Sequence, residues 1–452
     1  MPRHFVILGA GIAGLATGWF IKQQLKADDQ LTILEQSDHT GGWIQTLQIN
    51  DFLFEQGPRS CRTKGGVETL ALIESLHLEQ EIITPHQDSR HRYLFYNDQL
   101  QKFPSHPWQI PFHPLTKGWA KALWNDFTRP KRKQEDESIA DFFTRRLNSA
   151  WVDKLIDPFI LGIYAGDCQR LSLKSCFPVL DEWEQKKGSL LKGALSKSQN
   201  LHSSSAFIQS MQEHPLYSFK NGMSTLPKAL EKRLKKHLHL NSEIQSFEPN
   251  TQGFKISINS EQIIQASHLI STVPIVGLKK YFPQFSQEFD WLKYASVNVM
   301  NIGFDQIDAP LNGFGYLIPS SVNTPVMGCV WDSSIFPQHN VHPDQARLTM
   351  MLGGIKYSEV EQFDDEKLID ISLKALDQQC GIKRSPKIIQ IKRAIQAIPQ
   401  YEVGYEKWKT SITSKINKIS PTFFLSGSAF TGVSINDCIK QARRLAQQLA
   451  LL

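Results

Sequence analysis

Cysteine is scarce in this chain: six in 452 residues, at positions 61, 168, 176, 329, 380 and 438, with no CxxC pair. That spacing argues against the common zinc sites, so no metal is expected. It also argues against a disulfide scaffold, and predicts reduced thiols in a cytosolic compartment. Long apolar runs are missing as well. A membrane-spanning helix needs roughly 20 uninterrupted apolar residues, and the nearest stretch, HFVILGAGIAGLATGWFI, is broken by four glycines. Charge of one sign is not concentrated. The net charge of +6 is modest for this length, and no helix-turn-helix, zinc-finger or RNA-recognition spacing occurs, so no nucleic-acid partner is expected. Repeats of solenoid period are absent. With 41% hydrophobic and 21% charged residues, the chain is globular, and its length predicts two or three domains.

What is present begins at once. Phe5-Val6-Ile7-Leu8 reads as a short buried strand, and Gly9, Gly11 and Gly14 follow with G-x-G-x-x-G spacing before Leu15 to Leu25 continue at helical period. In such a unit the glycines allow a tight turn, backbone approach to a pyrophosphate, and close packing of helix on strand. The helix start adds free N–H groups and a positive dipole end. A second buried strand, Leu31-Thr32-Ile33-Leu34, ends in Glu35, 21 residues after Gly14, where a carboxylate can accept from an adenosine ribose. A signal peptide would instead show a small-x-small cleavage site and a change of composition. The pair Gly41-Gly42 before Trp43-Ile44, and the run Phe52-Leu53-Phe54-Glu55-Gln56-Gly57-Pro58-Arg59, supply further glycine turns. A flavin dinucleotide, longer than NAD, needs them, so FAD is the expected cofactor.

The far end supplies the complement. Phe423-Phe424-Leu425-Ser426-Gly427 is a buried strand, Ser428 to Ile435 a turn, and Asn436-Asp437 a cap for an amphipathic helix carrying Ile439, Ala442, Leu445 and Leu449. A helix N-terminus aimed at the flavin ring would stabilise negative charge there by about 1–2 kcal/mol. Between the ends, Leu226 to Leu238 read as a basic helix, and residues 243–247, 254–258 and 268–274 as strands. Residues 86–215 differ in texture: Trp108, Phe112, Trp119, Trp124, Phe127, Phe142, Phe143 and Trp151 lie among helix-like stretches beside the basic run 129–133. Core packing and a solvated loop account for these features, and so does a membrane interface. The serine-rich stretch 196–205 reads as a mobile loop. His91 and His113 read as surface residues, and no side chain is required as a general base.

Taken together, Gly42-Trp43-Ile44, Glu55 to Arg59, Gly162-Ile163-Tyr164-Ala165-Gly166, Ser175-Cys176-Phe177-Pro178, Gly313 to Ser321, Met351-Leu352-Gly353-Gly354, Ile398-Pro399-Gln400-Tyr401 and above all Gly432-Val433-Ser434-Ile435-Asn436-Asp437-Cys438-Ile439 resemble the protoporphyrinogen oxidase family along nearly the whole chain. The resemblance implies an α/β fold with α+β insertions. A Rossmann-like FAD-binding domain would be discontinuous (1–85, 216–275 and 400–452), with a helical membrane-binding domain (86–215) and a mixed-sheet substrate domain (276–399). It also implies oxidation of protoporphyrinogen IX by FAD, with dioxygen as terminal oxidant, and handover of the product to a ferrochelatase. The expected state is a monomer or homodimer, cytoplasmic or peripheral on the inner face of a membrane.

Carried over by motif, the dinucleotide would be held by Gly9, Ala10, Gly11, Ile12, Ala13, Gly14, Leu34, Glu35, Gly42 and Trp43. Gly57, Pro58, Arg59 and Ser60, Ile244, and then Ser428, Val433, Ser434 and Ile435 would complete the cofactor site. Arg59 could touch cofactor, substrate or only its own loop. Arg92 matches the arginine that pairs with a substrate propionate; Gly162, Phe314, Leu317, Val330 and Met351 match pocket positions. Three rivals remain. A coproporphyrinogen III oxidase would usually carry proline at Asn436 and lack Pro58-Arg59. Amine oxidases and carotenoid desaturases lack the 432–439 block. A non-catalytic flavin or porphyrin carrier would bind without reducing FAD.

Overall fold

The structure, a computed structural model, describes residues 2–104, 106–132, 135–196, 205–259, 262–308 and 311–451. Most of the serine-rich stretch, 197–204, therefore lies outside the described residues, as do Lys133 and the chain termini. Two sheets organise the rest. The first is five-stranded and wholly parallel, in the order 238–239, 30–34, 4–8, 268–271, 423–425. Parallel strands are covered on both faces, which explains why these segments are continuous apolar runs and not alternating ones. Helices Ile12–Lys22, Thr225–Leu234 and Ile435–Leu451 share one apolar core beneath it. A three-stranded antiparallel meander, 244–266, packs on the other side with Phe247, Phe254 and Phe423 in contact.

The second sheet has seven strands, in the order 388–399, 294–304, 346–353, 326–330, 315–317, 92–96, 99–102. It is antiparallel except where Gly315–Leu317 runs parallel to Arg92–Tyr96. Helix Asp365–Cys380 covers one face, and the other is turned towards the first half of the molecule. The range 86–215 is accordingly not helical throughout. Its hairpin 92–102 turns at Asn97-Asp98, both at positive φ, the requirement of a two-residue type I′ turn, and extends the seven-stranded sheet. Helices follow from Trp119 to Leu195. The C-terminal cap also differs from expectation. Ser434 Oγ accepts from Asp437 N at 3.1 Å and donates to Asp437 Oδ2 at 2.6 Å, so Ser434 is the cap and Asn436-Asp437 lie in the first turn. A short helical turn, Ser428–Thr431, replaces part of the expected irregular segment.

Candidate active site

The glycine-rich segment forms a backbone-walled cradle at the carboxyl ends of strands 4–8 and 30–34. A side chain at Gly14 would collide with the Gly9 carbonyl oxygen, and one at Gly57 with that of Trp43. Gly11 bridges Gly41, whose N–H donates to Ala10 O at 2.9 Å, and Gly42 lies against the Gly11 Cα. Thr272 Oγ1 donates to Leu8 O at 2.8 Å and pins the floor of the turn. Glu35 accepts from Ala10 N at 2.7 Å, Ser37 N at 3.0 Å and Ser37 Oγ at 2.6 Å, fixing its carboxylate beside the first glycine turn. Leu34 is buried between Leu8 and His239, Ile12 packs on the core beneath the sheet, and Ala13 is buried. Ser242 N donates to Glu35 O at 2.8 Å, which keeps the strand beginning at Ile244 alongside.

The C-terminal segment sits across from the cradle. Ser428 O accepts from Tyr401 Oη, and Ala429 O from Tyr405 Oη at 2.8 Å. Val433 packs on one core and Ile435 on the other. Asn436 is used up structurally: its Nδ2 donates to Arg62 O at 2.9 Å and its Oδ1 accepts from Thr69 Oγ1 at 2.7 Å. Narrow, backbone-lined spaces of this kind suit a pyrophosphate and a flat ring, so the residues present fit a flavin dinucleotide.

On the free face of the seven-stranded sheet, register brings the expected substrate residues together. Arg92, Gly315 and Val330 form one cross-strand row, and Leu317, Gly328 and Met351 the next. Both rows project to the same face because residues two apart along a strand do so. A Cβ at Gly315 would strike Cys329 O, and one at Gly328 would strike Tyr316 O, so each row has a gap and the face becomes a trough. Phe314, Val330 and Met351 share an apolar cluster with Leu216 and Phe336. Gly162, on helix Asp157–Tyr164, abuts the Leu317 side chain. The Arg92 guanidinium lies 4.6 Å from the Phe314 ring centroid. Its pKa is lowered, first by partial burial and then by the neighbouring Arg62 charge.

Between cradle and trough lies a buried polar cluster in which Glu55 and Arg59 meet Asp332, His339, Arg347 and Thr349, residues the sequence does not single out. Arg59 Nε stands 3.2 Å from Asp332 Oδ1, Asp332 Oδ2 accepts from Thr349 Oγ1 at 2.6 Å, and Thr349 Oγ1 also bonds Asn301 Oδ1. Arg347 is fully engaged, by Asn340, Leu53 O and Phe336 O. Burial lowers its pKa to about 10. Burial, then the Arg347 charge, lowers His339 to about 4, so it stays neutral and its Nε2–H donates to Phe219 O at 2.8 Å. Glu55 accepts from Met223 N at 2.7 Å and Thr46 Oγ1 at 2.8 Å, yet burial raises it to about 7. A cavity of about 10 Å³, room for one water, opens among these groups. Arg59 Nη2, although buried, makes no hydrogen bond, and Nε has only its ion pair with Asp332.

A parallel nucleotide sheet with a glycine cradle, joined to a mixed sheet that presents a trough, defines a two-sheet flavin-dependent oxidoreductase. The sequence matches the flavin containing amine oxidoreductases over residues 12–450, and the chain belongs to that family. Its cofactor is FAD. It is 30% identical to the protoporphyrinogen oxidase of Bos taurus, with 99% of this chain and 98% of that protein covered. It is 27% identical to the coproporphyrinogen III oxidase of Staphylococcus aureus (strain NCTC 8325 / PS 47), with 99% of each covered. Among solved structures, a protein of Exiguobacterium sp. 255-15, named provisionally as a protoporphyrinogen oxidase, superimposes with a TM-score of 0.86 at 23% identity, covering 100% of this chain and 99% of the other. A reduced UDP-galactopyranose mutase gives 0.75 at 15% identity, covering 100% and 94%.

Proposed function

We propose that the chain oxidises protoporphyrinogen IX to protoporphyrin IX. The observation that carries this reading is the trough: two gapped apolar rows beside a rim arginine, facing the cradle. A flat macrocycle needs apolar walls, and an arginine fork suits a propionate. In this reading Arg92 holds the carboxylate, while Phe314, Leu317, Val330 and Met351 exclude water, with Gly162 allowing Leu317 to close over the ring. Asp332 holds Arg59 through Nε, and the unpaired Nη2 serves the cofactor. Bound FAD would supply the hydride acceptor, with dioxygen as the terminal oxidant. Six electrons and six protons leave the substrate in three rounds, and three dioxygens become three hydrogen peroxides. The parallel-sheet half (1–85, 216–275, 400–452) takes the cofactor; residues 276–399, with the 92–102 hairpin, take the substrate.

Anaerobic mixing of the purified flavoprotein with protoporphyrinogen IX, and separately with coproporphyrinogen III, tests this. Fast bleaching of the flavin band by the first is expected. Bleaching by coproporphyrinogen alone moves the chain to that activity, which relatives such as the Staphylococcus aureus protein bear by name. Binding without bleaching by either makes it a carrier.

The same reading places residues 107–129 on a lipid surface. No described helix is long and apolar enough to cross a membrane. Trp108, Phe112 and Trp124 are nevertheless 69%, 85% and 70% exposed, beside exposed Lys117, Lys121 and Arg129. A groove of about 410 Å³ runs between Lys102 and Pro114. Aromatic groups interleaved with cations suit an anionic interface. Flotation with anionic vesicles is expected to carry the wild type and to lose a Trp108→Ser/Phe112→Ser variant; equal recovery of both rejects this surface.

A further inference from the structure

A second arginine faces the trough from the side opposite the sheet. Arg62 ends the short strand Cys61–Arg62 and pairs directly with Leu216 in an antiparallel ladder. Directly opposed residues leave such a ladder on the same face. Leu216 points into the apolar cluster of Phe314, Val330 and Met351, whereas Cys61 and Tyr217 turn to the core under the parallel sheet. Arg62 therefore leaves its strand on the trough side. Its backbone is held by Asn436 Nδ2, 2.9 Å from Arg62 O, and its side chain is exposed.

No carboxylate among the described residues forms an ion pair with Arg62 or with Arg92. The two cations nevertheless stand close enough for Arg62 to depress the Arg92 pKa. The Arg62 charge also reaches Tyr164, on the helix that carries Gly162, so it acts from within the region that Arg92, Phe314 and Gly162 outline. Like charges kept together without a counter-charge repel. They are accommodated when a ligand supplies two negative groups at matching positions, each taken by a guanidinium fork.

We infer that Arg62 is a second carboxylate anchor: with Arg92 it grips two neighbouring carboxylates on one edge of the macrocycle and sets which edge faces outward. This rests on the porphyrinogen reading above. It also limits the substrate, because the opposite edge then lies against Leu317 and Met351, where further carboxylates would be buried unpaired.

The test uses the FAD-loaded full-length protein and protoporphyrin IX as free diacid, monomethyl ester and dimethyl ester, with binding read from porphyrin fluorescence. The wild type is expected to lose affinity twice, about tenfold at each esterification, the size of one charge-assisted hydrogen bond at a half-exposed site. Arg62→Gln should bind the diacid about tenfold more weakly and show only one of the two steps. Arg62→Lys should recover part of the loss, and KM for protoporphyrinogen should rise in Arg62→Gln far more than kcat falls. A wild type that weakens at only one esterification, or an Arg62→Gln protein that binds the diacid as well as the wild type, overturns the second anchor and leaves the porphyrinogen reading intact. Failure of the wild type to bind any of the three porphyrins, with no bleaching by porphyrinogen, overturns the reading itself. If Arg62→Gln does not fold, the wild-type ester series decides alone.

Discussion

Glu184 and Glu55 are both buried, and their pKa values move in opposite directions. Glu184 lies in the helical segment and Glu55 between cradle and trough. Burial alone would raise both. At Glu184 the hydrogen bonds from Arg145 and Arg146 outweigh burial and the pKa falls; at Glu55 only neutral donors, Met223 N and Thr46 Oγ1, reach the carboxylate, and burial wins. The arginines differ in the same way. Arg146, fully buried, spends Nε and Nη2 on Glu184 and Nη1 on the carbonyls of Asp126, Arg129 and Gly188. In that cluster only Arg145 Nε lacks a partner. Arg59 leaves Nη2 unpaired beside a cavity, with Nε held only by the Asp332 carboxylate. A buried arginine whose donors are satisfied by its own chain is a staple. One left short of partners is set for something that binds.

Breaking the staple should have the largest effect. Arg146→Met leaves Glu184 with a single guanidinium and is expected to cost about 3–5 kcal/mol, the range for stranding one member of a buried pair. Urea unfolding measures it, and the flavin spectrum of the still-folded fraction should match the wild type.

Next comes Glu55. The native state holds its proton up to about pH 7, against an ordinary value of 4.5. Its contribution to stability is therefore full below pH 4.5 and lost as the pH rises through 7, a difference of about 3 kcal/mol. Glu55→Gln removes that slope, so the variant should gain on the wild type between pH 5 and 8 in parallel melts. Glu184 carries the reverse sign: its contribution is present above the carboxylate range and lost as the pH falls. A Glu55→Gln protein that tracks the wild type at every pH would show that folding does not raise the carboxyl's pKa.

The smallest change belongs to Arg59. Arg59→Lys keeps the charge towards Asp332 but loses the second fork, and should weaken FAD binding about tenfold, roughly one charge-assisted hydrogen bond. Flavin release on dilution reads it, with little change in melting temperature of the apoprotein. Unchanged retention would make Arg59 a staple like Arg146 and erase the distinction between the two clusters.

Much of the cofactor side was legible in the sequence, because its logic is local. Gly9, Gly11 and Gly14 act through spacing along one turn, and strands 4–8 and 30–34 announce themselves as apolar runs. The trough was legible only through resemblance. Its rows unite Arg92, Gly315 and Val330 from three strands, and no periodicity within one strand reveals cross-strand register. Asp332 was missed as the partner of Arg59, because a pairing between distant segments leaves no local pattern. The cap was misassigned for a different reason: Asn and Asp rank as highly as Ser at that position, but the helix begins at Ile435, one residue after Ser434, whose Oγ accepts from Asp437 N.

Chain order in the parallel sheet also sets a schedule. One edge strand is Phe423–Leu425, and the helix Ile435–Leu451 follows it in the chain. During synthesis the cradle cannot close until residues 423–451 have been made. The apolar strand His4–Leu8 is made well before that segment and waits for its last partner, on the order of a minute at ribosomal speeds. A stop codon ahead of Phe423 therefore removes the last-made strand and the Ser428 to Ile435 segment together, and the cofactor site with them.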